Sequence, residues 1–413
     1  MFQRIGSSAF KKDLTNILAL TEARGNPHRA YPTIHVAGTN GKGSVSSMLT
    51  SILMEAGYKT GLLTSPHLRS FTERMRVNGI PIPENEVVNF VESHKDLIET
   101  LKPSFFEATV LMAFEYFMKE KVEIAVIEVG MGGRLDSTNI ISPETTAITN
   151  ISRDHSQFLG ETLPLIAGEK AGIIKEGVDV IIGQYVQETK PVFEKIATEK
   201  GAKLILADQR FRVQRIDGDL KSQSFSVEDR FLGTNQILHC DLSGHYQRWN
   251  IPTVLAIVES FKEKGWQIPA KAIEKGIANA SKNSGFIGRM SLLRENPSVI
   301  TDIAHNEAGV DEVLAQIEQI DYKQLHIVWG MVGDKDIGKV MQMLPKSAHY
   351  YFVKPNVPRG LDLASLKTEA NRHGLQGSTW PSVELGYAAA LSAADKDDLI
   401  YVGGSTFVVA EVI

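Results

Sequence analysis

The chain has 413 residues, 43% hydrophobic and 23% charged, which suffices for full cores in two or three domains. Its formal net charge of −5 gives no general attraction to nucleic acid. The single cysteine, Cys240, excludes an intrachain disulfide and reads as a small buried apolar residue in a reducing compartment; the opening MFQRIGSSAFKKDL is no signal peptide, and no apolar run nears the ~18 residues of a membrane span. The expectation is a cytoplasmic, enzyme-sized chain.

In chain order, TIHVAG (33–38), KTGLLTS (59–65), EIAVIEVG (123–130), TTAITNI (145–151) and VDVIIGQ (178–184) are short apolar runs bounded by Gly, Ser and Asn. They read as buried parallel strands. Between them, residues 45–55 place Val45, Met48, Leu49, Ile52 and Leu53 on one helical face, and residues 106–119 form another helix. Residues 203–243 change character: AKLILA, FRVQRI, SQSFSV and NQILHCDL are short, partly alternating and read as a small antiparallel section. A helix is predicted over 247–262. Strand–helix alternation resumes with VITDIAHN, LHIVWGM, HYYFVKP and DLIYVGGS. The fold class is α/β: a P-loop-type doubly wound N-terminal domain (1–284) with the antiparallel insert, then a smaller Rossmann-like domain (285–413). The boundary falls within SKNSGFIGRM (281–290), and a ligand cleft is expected between the two domains.

IHVAGTNGKGSV (34–45) departs from the usual phosphate loop, G-x-x-x-x-G-K-[ST]. Val36 stands at the first Gly, and Gly43 separates Lys42 from the hydroxyl of Ser44. A strand, a Gly-rich turn and a helix start nevertheless remain, and backbone N–H groups at a helix start attract phosphate. Thr39, Asn40, Gly41, Lys42, Gly43 and Ser44 are the candidate nucleotide residues. The plainer alternative is a glycine turn with an incidental lysine.

GTNGKGS resembles the loop of the Mur-ligase superfamily, in its folylpolyglutamate synthase and dihydrofolate synthase branch. Further matches follow in family order: SPHLRSFTERMRVNG (65–79), EVGMGGRLDSTN (128–139), TNISRDHSQFLG (149–160), GEKAGIIK (168–175), GHYQRWN (244–250), DIAHNEAG (302–309) and GDKD (333–336). Together they cover nearly the whole chain, although GDKD alone is weak.

Mg²⁺ prefers hard oxygen ligands. Glu128 ends an apolar strand and precedes GMGG, so it is a candidate ligand rather than a merely solvated strand end. Ser65 would pass for a turn serine, but the resemblance implies that it binds magnesium. His155 likewise matches a histidine at a second magnesium, with Asp154 orienting the ring. Lys170 matches a lysine that CO₂ carbamylates; Lys175 is the alternative. Gln247 and Asn250, one turn apart, imply amides at an adenine edge, with Tyr246 where His is usual. Arg289 matches a phosphate-binding arginine. Asp302 and His305 match second-domain residues on the nucleotide and glutamate sides, with Ile303 replacing the common Gly.

The resemblance implies an ATP-dependent acid–amino-acid ligase using Mg²⁺. It would add L-glutamate to dihydropteroate and reduced folates through an acyl phosphate. The implied catalytic residues are Lys42, Lys170, Asp302 and His305. The implied partners are small molecules, with no nucleic acid or membrane, and the chain is expected to be a monomer. Alternatives are a monofunctional folylpolyglutamate synthase, a UDP-muropeptide ligase, and a nucleotide-binding module without catalysis.

Overall fold

The computed structural model describes residues 13–333 and 337–413. The first twelve residues of MFQRIGSSAFKKDL and residues 334–336 of GDKD lie outside this range.

Eight strands form the first sheet: β1 (Thr33–Ala37), β2 (Thr60–Leu63), β3 (Met75–Val77), β4 (Ile80–Pro81), β5 (Ile124–Glu128), β6 (Thr145–Ile148), β7 (Val180–Ile182) and β8 (Leu204–Leu206). Their order is β4-β3-β2-β5-β1-β6-β7-β8. Strands β2 to β8 run parallel along this order, while β3 and β4 are antiparallel additions at one edge. Alternate side chains of β5 enter opposite cores. Ile124 and Val126 join Val45, Met48 and Leu49 of the helix Lys42–Glu55. Ala125 and Ile127 join Val110, Phe114 and Phe117 of the helix Phe105–Lys119. Both faces are covered, so these strands read as continuous apolar runs.

One expectation needs correcting. AKLILA does not belong to the antiparallel section: its Leu204–Leu206 is β8, paired parallel with β7. Its short run lacks the alternation of a one-faced strand, and the large sheet recruits it as an edge. The helix Lys42–Glu55 has little solvent face, since every residue from Gly43 to Leu53 is buried. Its serine side packs against the helices Ala270–Ala278 and Ala280–Ser284, and Gly276 sits directly on Ile52. Small polar residues here permit close helix approach rather than marking exposure.

The antiparallel sheet comprises β9 (Phe211–Gly218), β10 (Gln223–Asp229) and β11 (Thr234–Cys240) in the order β11-β10-β9. Phe225, Val227, Leu238 and Cys240 pack into the core shared with the helix Gln247–Glu263. Burial pushes the Cys240 thiol up to about 12, in keeping with a structural cysteine.

The last sheet holds β12 (Ser291–Glu295), β13 (Ser298–Thr301), β14 (Leu325–Trp329), β15 (His349–Val353), β16 (Gly377–Trp380) and β17 (Leu399–Gly403). Its order is β12-β13-β17-β14-β15-β16, parallel except for β12. The expected segments became β13, β14, β15 and β17. The unanticipated β4, β12 and β16 are short edge strands and β3 is a three-residue strand beside the edge, all too short to carry much apolar pattern. Between the two architectures, the helix Ala280–Ser284 ends at Gly285, whose φ is +68°. Among the described residues, no helix is long and apolar enough to cross a membrane.

Candidate active site

Four loops leave the C-terminal ends of β1, β2, β5 and β6, the edge at which parallel α/β sheets hold ligands. The loop after β1 makes its turn at Gly38 (φ +150°) and Gly41 (φ +84°). A Cβ at Gly38 would collide with Thr149, and one at Gly41 with the Asn250 amide. Glycine is therefore required by space as well as by backbone angle. The loop is also tied to the β6 loop. Thr39 N and Asn40 N donate to Asn150, Thr39 Oγ1 exchanges bonds with the Ser152 backbone, and Thr149 Oγ1 donates to Asn40 O.

Lys42 opens the helix and folds back over its loop. Its Nζ donates to Gly38 O at 3.1 Å and Thr39 O at 3.2 Å. Lys170, 4% exposed, donates to the same Gly38 O at 2.9 Å. Two ammonium groups thus converge on one carbonyl. Burial lowers the Lys170 pKa to about 7, with Lys42 repulsion adding to it against Asp154 and Asp136. Burial lowers that of Lys42 as well, opposed by Glu128 and Asp154. Lys175, the alternative lysine, bonds to Asn139 O instead.

Glu128 ends β5 at 4% exposure, and burial raises its pKa to about 7 against the pull of Lys42 and Arg289. Ser65 N donates to its Oε2 at 3.4 Å, and the Ser65–Pro66 bond is cis. A buried carboxylate with so little hydrogen bonding, beside a serine hydroxyl, suits a hard cation that keeps several waters. His155 follows β6 with φ +50° and lies 3.9 Å from Asp154. Among the described residues, no three His, Cys, Asp or Glu side chains are placed around one metal. The donor sets fit two sparse, hydrated sites.

Gln247 and Asn250 begin the helix Gln247–Glu263 and are buried. Asn250 Nδ2 donates to Gln247 Oε1 at 2.8 Å, and Gln247 Nε2 to Ser44 Oγ at 3.4 Å. Both amides therefore brace the loop from behind. Asp302 is 2% exposed and receives Tyr246 Oη at 2.8 Å, Met290 N at 2.9 Å and Ala304 N at 2.8 Å. Tyr246 joins the first domain to the second through this bond. Arg289 reaches Gly288 O and stands 5.8 Å from the Phe286 ring centroid. A cleft between the domains is lined by Gly43, Ser65, Glu128, Phe286, Arg289 and Ile303. His305 Nδ1 contacts Ile303 O, and its Nε2 lies 3.4 Å from Asp154 Oδ2.

The residues overlooked in the sequence are Asn150, Thr149, Asp154 as a bridge between domains, and Asn306. Asn306 Nδ2 reaches both Asn40 and Asp154. Their motifs, TNISRDH and AHN, were in view, but amide partners 266 and 152 residues away leave no local pattern.

Fold and loops together define a two-domain Mur-type ligase. Residues 36–258 match the Mur ligase middle domain and residues 288–406 the Mur ligase glutamate ligase domain. A dihydrofolate synthase/folylpolyglutamate synthase of Bacillus subtilis is 34% identical over 84% of this chain and 82% of its own. A probable bifunctional folylpolyglutamate synthase/dihydropteroate synthase of Haloferax volcanii is 33% identical over 97% of this chain, which spans 48% of that longer protein. A bifunctional folylpolyglutamate synthase/dihydrofolate synthase, solved with Mn, AMPPNP and L-glutamate bound, superposes with a TM-score of 0.85 at 27% identity, covering 97% of this chain and 93% of that one. The chain belongs to the folylpolyglutamate synthase/dihydrofolate synthase family, which are ATP-dependent acid–amino-acid ligases.

Proposed function

We propose that this chain joins L-glutamate both to dihydropteroate and to reduced folates, through an acyl phosphate made from ATP. The observation that carries the reading is the convergence of Lys42 and Lys170 on Gly38 O, at a cleft that also holds Glu128 and Arg289. The nucleotide analogue, manganese and glutamate bound in that solved structure support ATP, a divalent cation and glutamate as ligands, and the Bacillus subtilis relative's name supports the double acceptor range.

In this reading Thr39 to Ser44 cradle the phosphates at a helix N-terminus. Lys42 exchanges its two loop carbonyls for phosphate oxygens, and Arg289 approaches from the second domain. Gln247 and Asn250 hold the loop and present their helix start to adenine. Ser65 with Glu128 would hold one Mg²⁺ and His155 another, supplying positive charge against the phosphates. The substrate carboxylate oxygen attacks the γ-phosphorus, and ADP leaves. The neutral glutamate amine then attacks the acyl carbon, an amide bond forms, and phosphate departs with the acyl C–O bond broken. Phosphorylation is needed because oxide is not a viable leaving group. Asp302 stiffens the second-domain wall through its three donors, and His305 faces the cleft on the glutamate side. Lys170, whose pKa burial lowers to about 7, is more readily neutral than an ordinary lysine and so available to add CO₂ at Nζ and release a proton. The carbamate would replace a cation by an anion beside Lys42.

The same reading places the domain boundary at 284/285, with a monomeric chain working in the cytoplasm. The test is glutamate-dependent ADP release with ATP and Mg²⁺, comparing dihydropteroate with tetrahydrofolate and identifying products by mass. Turnover of both is expected, and Lys42→Ala should abolish both. Turnover of tetrahydrofolate alone would reduce the activity to folylpolyglutamate synthesis. Silence on both, with ATP still bound, would overturn the acceptor assignment.

A further inference from the structure

The cleft between the domains contains a second guanidinium. Arg76 lies on β3, between Met75 and Val77, which point into the core. Its side chain turns the other way and lines the cleft with Ser65, Glu73 and Glu128, opposite Arg289 and Ile303. Its hydrogen bonds are to backbone only: Nε to Glu73 O and Nη1 to Gly79 O, each at 3.3 Å. Gly285, at φ +68°, makes room for it, because a Cβ there would strike Nη1. Burial lowers its pKa, with Glu73 only partly offsetting the loss of water. Among the described residues no carboxylate lies within ion-pair distance of Arg76, so a half-buried planar cation is left facing a substrate cavity without a matching anion.

We propose that Arg76 binds the α-carboxylate of the terminal glutamyl residue on a folate acceptor, and so favours glutamylated acceptors over dihydropteroate. The inference rests on the activity proposed above. A folyl glutamate carries two carboxylates on one residue. The γ-carboxylate must reach the phosphate end of the cleft, near Lys42 and Glu128. The α-carboxylate is a spectator on the same residue, and Arg76 lines the same cavity as Ser65 and Glu128. Dihydropteroate has one carboxylate, which reacts, and nothing to offer Arg76. Incoming glutamate is the competing occupant, and the KM for glutamate separates the two.

The test compares kcat/KM for tetrahydrofolate with that for dihydropteroate in the full chain. In Arg76→Gln the ratio should fall about tenfold or more, the effect of losing a charge-assisted bond, and Arg76→Lys should restore part of it. Equal losses on both acceptors would make Arg76 merely structural and overturn the proposal, as would a rise in the KM for glutamate instead. If the wild type does not turn over dihydropteroate, the double acceptor range fails, and equilibrium binding decides the role of Arg76. Wild type should then prefer tetrahydrofolate to tetrahydropteroate, and Arg76→Gln should lose that preference; its retention would refute the assignment.

Discussion

Asn40 and Asn306 face each other as a reciprocal amide pair: Nδ2 of Asn40 donates to Oδ1 of Asn306 at 3.2 Å, and Nδ2 of Asn306 to Oδ1 of Asn40 at 3.1 Å. One residue belongs to the phosphate-type loop. The other caps the helix Glu307–Ile317, accepting from Gly309 N at 2.8 Å, and also donates to Asp154 at 3.2 Å. The relative position of the two domains is thus written into the loop that holds Lys42.

Asn306→Asp separates the cap from the latch. Asp caps a helix about as well as Asn, but it places a carboxylate against Asp154 and removes the amide donor. We expect melting close to wild type with kcat/KM lowered about tenfold or more. A large fall in Tm with activity per folded molecule intact would refute the separation.

Lys170→Met should reduce turnover by about a hundredfold or more if an anion at this position organises the charges around Lys42. Small carboxylates added to the assay should return part of the activity. Turnover that survives the substitution, tested after removal of dissolved CO₂, would exclude a carbamate. Stability offers a second check. Lys170 titrates at about 7 in the fold and near its ordinary 10.5 when unfolded. Between these values the unfolded chain holds more protons, so stability rises with pH. In Lys170→Met that rise should flatten in urea titrations.

Glu128 predicts the opposite slope in a lower window. Its folded pKa of about 7 exceeds the ordinary 4.5, so the folded chain holds the extra proton between them. Its contribution to stability is present below about 4.5 and is lost as pH rises to about 7. Glu128→Gln should remove that decline and also abolish the Mg²⁺ requirement's normal concentration dependence. Urea midpoints at pH 5 and pH 7 that shift alike in wild type and variant would sink the account.

Tyr246→Phe removes one of three donors to Asp302 while keeping the ring in its packing. The cost should be about 1–3 kcal/mol, seen as a Tm lower by several degrees. Because Met290 N and Ala304 N still hold the carboxylate, kcat should change less than stability. A variant as stable as wild type would show that the bond contributes nothing net.

Much of this architecture is legible without coordinates. Apolar runs bounded by glycine located β1, β2, β5, β6 and β7, because strands buried on both faces must be continuously hydrophobic. The glycines of GTNGKGS located the loop, because positive φ and close backbone approach tolerate no side chain. The position of β8 was not readable: AKLILA is compatible with either sheet, and only the space beside β7 decides. The burial of the serine face of the helix Lys42–Glu55 was not readable either, since small polar residues suit both solvent and tight packing.

The site divides in the same way. Lys42, Glu128 and Ser65 stand at strand and helix ends that local pattern reveals. That Lys170 shares a carbonyl with Lys42, that Gln247 and Asn250 brace the loop, and that Asn40 meets Asn306 depend on contacts between residues 128 to 266 positions apart or on burial of both partners. Local sequence dictates backbone angle and apolar period, because these act between neighbours along the chain. Burial, charge proximity and the pKa shifts that follow are properties of what surrounds a group in space, and here only the packing of distant loops and helices at the sheet's end supplies the surroundings.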